Sequence, residues 1–77
     1  MRPHHLPVTC DGRLVAIAGP RRCHVLARDL TASELALVQV SCLLAQEVLA
    51  GRIGAEFTGP KLEALARALL PRAEPAS

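Results

Sequence analysis

Apolar and polar residues along this 77-residue chain follow first a strand-like and then a helical period. Leu6 to Cys10 and Arg13 to Ala18 are short apolar runs, and Asp11-Gly12 between them is a strong hairpin signal, because Gly tolerates positive φ and Asp suits the primed turn. Gly19-Pro20-Arg21-Arg22 reads as a second turn, and Cys23 to Arg28 as a third strand. In the second strand Arg13, Val15 and Ile17 share one face while Leu14, Ala16 and Ala18 share the other, so both faces are largely apolar. A sheet wetted on one side shows cleaner alternation. The pattern therefore predicts a meander with helices on one face and partial cover, as from a second chain, on the other.

At Thr31 the period becomes helical. Thr31-Ala32-Ser33-Glu34 fits a capping box, with Leu30 and Leu35 placed as a hydrophobic staple, and predicts a helix starting close to Ala32. Leu35, Val38, Cys42, Ala45 and Leu49 then recur three or four residues apart as a continuous stripe. Leu37, Leu44 and Val48 make a second row, widened by Val40 and Leu43, and one helix face cannot hold them all. Such a helix is expected to pack on its own sheet on one side and on another surface on the other. Gly51 ends it. Thr58-Gly59-Pro60 starts a second helix, capped by Thr58 or Gly59 and running to Leu70. Its apolar face is Leu62, Leu65, Ala66 and Leu69, with Lys61, Glu63 and Arg67 more exposed. The elements predict an α+β fold of order βββαα, with a three-stranded antiparallel meander before a long apolar and a short amphipathic helix. One domain covers 6–70, between a flexible N-terminus at 1–5 and a flexible tail at 71–77.

Composition turns this outline toward association. Hydrophobic residues make up 51% of the chain, mostly Leu, Ala and Val with Phe57 as the single aromatic, which is incompatible with intrinsic disorder. A chain this short buries only about 60% of its unfolded surface, so a monomer without disulfides or metal is marginal. Surplus apolar surface in a marginal chain predicts a homodimer or an accessory subunit bound to a protein partner. The association surface is placed on Leu35, Val38, Cys42, Ala45 and Leu49.

Net charge is +2, too near balance to imply nucleic acid or anionic lipid by itself. Its distribution is uneven. Residues 1–30 carry Arg2, Arg13, Arg21, Arg22 and Arg28 against Asp11 and Asp29, whereas residues 31–59 carry Arg52 against Glu34, Glu47 and Glu56. Arg13, Arg21, Arg22 and Arg28 are therefore candidate contacts for an anion or an acidic partner, and the alternative function is a nucleic-acid-binding regulator using that patch. Against it, the two helices are separated by more than a helix-turn-helix allows, and the second lacks a row of base-reading side chains.

Three cysteines cannot all pair within one chain, and the pattern is not that of a disulfide-stapled miniprotein, so small buried thiols in a reducing cytoplasm are expected. Cys10, Cys23 and His24 are the candidates for a small metal-binding protein, with His4 or His5 completing the set. Their spacing matches no structural-zinc pattern, and Cys23 and His24 fall on opposite faces of a regular strand. No cofactor is expected. Catalysis has little support either, because Cys23 beside His24 does not present a base to a nucleophile, and Glu34 and Asp29 are explained by the helix start. Leu35 to Ala50 is interrupted by Gln39, Ser41, Gln46 and Glu47 and is shorter than the roughly 20 residues of a bilayer span, so no membrane insertion is expected. Richness in Ala, Arg, Leu and Pro with a single lysine suits a bacterial, high-GC coding sequence.

Overall fold

The computed structural model describes residues 4–70, with β1 (Leu6–Cys10), β2 (Arg13–Ala18), β3 (Cys23–Val25), α1 (Ala32–Leu49) and α2 (Pro60–Leu69) in that order. This is the α+β, βββαα arrangement read from the periodicity. Of the termini expected to be flexible, residues 1–3 and 71–77 lie outside the described residues, and His4 and His5 are exposed.

The strands form one antiparallel sheet in the order β1-β2-β3. Asp11 and Gly12 close the first hairpin with φ of 53° and 80°, as a type I′ turn requires, and Gly12 meets that demand without a Cβ penalty. Along β1 and β2, Leu6 lies opposite Ala18 and Val8 opposite Ala16, but Thr9 lies opposite Leu14. Val15 is thus the extra residue of a β-bulge. The bulge resolves the two-sided pattern of β2. Val15 and Ala16 are consecutive and both buried, which strict alternation forbids. Pro7, Ile17 and His24 pair across the three strands on the face away from the helices. The bulge also shortens β3, expected to reach Arg28. The Leu26 and Ala27 amides both donate to the Val15 carbonyl, at 2.8 and 3.2 Å, so the regular ladder stops at Val25.

α1 is closed at both ends by local chemistry. Thr31 Oγ1 accepts the Glu34 amide at 3.1 Å and the Glu34 carboxylate accepts the Thr31 amide at 2.9 Å, the capping box expected from the sequence. At the other end Gly51 takes φ 82°, and the Arg52 and Gly51 amides donate to the Glu47 and Val48 carbonyls at 2.9 and 3.0 Å. This Schellman closure needs the left-handed residue that glycine provides. Between these ends α1 lays Leu37, Val38, Ser41, Cys42 and Ala45 onto the sheet. α2, with Pro60 in its first turn, adds Leu62 and Ala66 to the same core. The Ser41 hydroxyl is buried there without a hydrogen-bond partner.

Cys23 and Cys42, 19 residues apart, are joined by a disulfide, with their Cα atoms 6.2 Å apart. Cys10 is the free thiol. This corrects the expectation of three reduced thiols in a fold without a crosslink. The second turn brings Cys23 to the helix-facing side of the sheet edge, where Cys42 on the buried face of α1 meets it. No spacing rule along the chain registers that encounter.

A loop of this length implies that the Cys23→Ala/Cys42→Ala variant is less stable by about 3 kcal/mol, measured by urea unfolding against the oxidised protein. An unchanged midpoint would refute a structural role for the crosslink. Ser41→Ala is expected to raise stability by about 1 kcal/mol in the same assay, because it removes an unpaired buried hydroxyl at little loss of volume; a loss of stability would mean that the hydroxyl is bonded in solution.

Candidate functional site

The outward side of α1 carries two exposed leucines, and a third, Leu69, is exposed on α2. Leu35, Gln39 and Leu43 recur every fourth residue along α1, and its two leucines are 41% and 64% exposed. The expected association row fares differently. Val38, Cys42 and Ala45 are buried in their own core and Leu49 is half-buried, so of that row only Leu35 faces outward. The correction follows from the roll of the helix, which turns the small residues Ser41, Cys42 and Ala45 toward the sheet and leaves Leu43 outside. Counting apolar residues registered the excess but not which of two apolar faces points inward. By length and composition alone α1, with 18 residues and a mean hydropathy of 1.3, is also apolar enough to cross a membrane, while a third of it is buried within this fold.

The arginine patch is likewise redistributed. Arg13 donates to Asp29 at 3.0 Å, and this hydrogen bond, with the neighbouring positive charge, lowers the Asp29 carboxyl below its usual range. Asp29 thus neutralises Arg13 and is not simply a charge at the start of α1. Arg21, Arg22 and Arg28 are exposed, and none forms an ion pair among the described residues. They flank β3, one of the two edge strands of the sheet.

The metal candidates are not brought together. Cys23 is consumed by the disulfide, and His24 is exposed on the opposite face of the sheet. Cys10 pairs with Arg13 at the far end of the hairpin, whereas Cys23 lies opposite Ala18 and so in line with Leu6. The length of β1 separates them, about 13 Å at the usual rise. Among the described residues no group of three or more His, Cys, Asp or Glu is arranged to hold a metal.

A polar cluster joins the hairpin tip to α2. The Glu63 carboxylate accepts the Asp11 amide at 2.8 Å, Arg67 Nη2 at 2.8 Å and Thr9 Oγ1 at 3.5 Å, and Arg67 also reaches Asp11 Oδ1 at 3.1 Å. Glu63 was expected to be among the more exposed residues of its helix, yet its side chain is only 11% exposed because the hairpin docks over it. Burial pushes its carboxyl pKa up, but the hydrogen bonds and the Arg67 charge outweigh burial and hold it below the usual range. The i,i+4 spacing of Glu63 and Arg67 was a visible signal for an ion pair. Its attachment to a hairpin some fifty residues earlier was not.

Cys10 lies beside this cluster. Burial, then the negative charges of Asp11 and Glu63, raise its pKa, so the thiol stays protonated. A protonated thiol facing carboxylates is a poor nucleophile and a poor metal ligand. The arrangement has the chemistry of a latch. A separate apolar cleft of about 260 Å³ opens between Leu6, Val48, Leu49, Ile53 and Thr58, where the connector leaves α1. Compared with protein families, curated proteins and solved structures, the chain has no significant match.

The lowered Glu63 pKa contributes stability above the unfolded carboxylate range, and that contribution is lost as pH falls through the folded-state value. Glu63→Gln is therefore expected to be less stable than the parent at neutral pH, with the difference shrinking as both are acidified. Urea titrations at several pH values test this, and a difference that does not vary with pH would show that the latch does not depend on charge.

Proposed function

We propose that the protein is a non-enzymatic association module that acts as a homodimer through the outward face of α1. The observation that carries the reading is the exposure of Leu35 and Leu43 on one side of a helix whose other side already fills the core. A helix apolar all round is ordinarily buried all round. A second copy is the simplest occupant, because Leu35, Gln39 and Leu43 form a symmetric unit. About a two-fold axis at Gln39, two antiparallel helices set Leu35 of one copy against Leu43 of the other and Gln39 against its equivalent. This is an isologous contact, in which the amides satisfy each other and specify the register. Burial of leucine on both sides of that axis offsets the thin core available to one short chain.

The reading predicts a dimer at micromolar concentration by sedimentation equilibrium or light scattering. Leu43→Glu, at an exposed position, should leave the far-ultraviolet circular dichroism spectrum unchanged and weaken the dimer at least about 30-fold, as loss of a central apolar contact does. A monomeric parent protein would overturn it.

A further inference from the structure

We infer that the open edge of β3 is a docking strand for an extended acidic peptide segment, which adds to the sheet as a fourth strand. β3 is the last strand of the sheet, and nothing among the described residues pairs with its outer side. The direction of its backbone groups follows from the bonds on either side. Gly19 donates to the Arg22 carbonyl at 2.7 Å and Leu26 to the Val15 carbonyl at 2.8 Å, so Arg22, His24 and Leu26 turn their amides and carbonyls toward β2. The alternate residues Cys23 and Val25 turn theirs to the open edge.

Side chains and charge add the specificity that a backbone edge lacks. Val25, the last residue of the strand, and Leu26, directly after it, are 48% and 50% exposed and offer apolar contact to residues of an added strand. Between Asp11 and Asp29 the chain has four arginines and no carboxylate. Asp29 occupies Arg13, which leaves Arg21 and Arg22 before the strand and Arg28 after it as cations with no ion-pair partner among the described residues. Exposed edges are commonly protected by charge, and cations of one sign at both ends repel a second copy of this edge while favouring an anionic strand. The disulfide holds Cys23, the first residue of β3 and one of the two that face the open edge, against α1, so the edge is presented in one geometry before the peptide arrives. Strand addition then draws affinity from main-chain hydrogen bonds and selectivity from the flanking arginines.

The test uses the full chain and a fluorescent synthetic peptide of alternating Glu and Val. Three controls accompany it: a Gln-for-Glu version, a version N-methylated at alternate amides, and a single-stranded oligonucleotide of similar charge. Anisotropy is expected to show binding of the Glu-Val peptide that weakens with added salt. It should be at least about tenfold weaker for the Gln version, for the N-methylated version and for Arg21→Ala/Arg22→Ala, whose exposed turn positions leave the fold intact. Amide chemical-shift changes should centre on Cys23 and Val25. Absence of binding overturns the proposal. So does an N-methylated peptide that binds as well as its parent, which would mean charge attraction without strand pairing, and so does an oligonucleotide that binds more tightly than the peptide, which would assign the arginines to nucleic acid. Because Leu43→Glu leaves this edge untouched, it should bind the peptide as the parent does, and failure of the dimer and failure of the docking strand are read separately.

Discussion

The packing of α1 against the sheet is built from small side chains, and the remainder of the structure is a response to that constraint. Ala16, Ala18, Ala45 and Ala66 are completely buried, and the largest fully buried residues are Leu62 and three valines. Small residues let the helix approach the sheet, but each removes little apolar area from water, and burial stabilises in proportion to area. A core of this kind cannot absorb all the leucine the chain carries. Leu35 and Leu43 remain outside not because they are few but because the inward face is reserved for residues that fit a narrow gap.

The thin core is reinforced at its two ends by different chemistry. At one end a covalent bond holds β3, the shortest and most peripheral strand, to the middle of α1. At the other end Glu63 and Arg67 gather the Asp11-Gly12 tip and β1 onto α2 through charge-assisted hydrogen bonds that converge on the nearly buried Glu63 carboxylate, while Arg67 and Asp11 stay exposed. The hydrogen bond from Gln46 to the Gly19 carbonyl, at 3.2 Å, ties the second turn to α1 between these points. The sheet is thereby fastened to the helical layer at both hairpin turns and at its far edge.

What was legible in the chain was local. The Asp11-Gly12 turn, the Thr31–Glu34 capping box, the Gly51 stop and the Pro60 start each depend on a few adjacent residues, and each stands where those residues placed it. What was illegible was long-range. The Val15 bulge results from fitting β1 and the segment after Val25 to one strand, so alternation within β2 alone assigned its residues to the wrong faces. The Cys23–Cys42 bond and the Glu63 latch join residues far apart in sequence, and neither has a spacing signature. For the association surface, composition revealed a surplus on α1 but placed Val38, Cys42 and Ala45 on the wrong side of it.

That error points to a property of α1 itself. A helix with a polar and an apolar face has one favourable roll about its axis, because turning it moves charge into the core. In α1 that contrast is weak, because Leu35 and Leu43 stand on the outward side with Gln39 between them, and only a few polar residues, Gln39, Gln46 and Glu47, oppose turning it. Its angular setting is further specified by steric fit at Ser41 and Ala45 and by a single covalent pin at Cys42. The crosslink in this protein therefore selects among packings as well as stabilising one of them, and the face presented to the outside is defined by a bond on the inside.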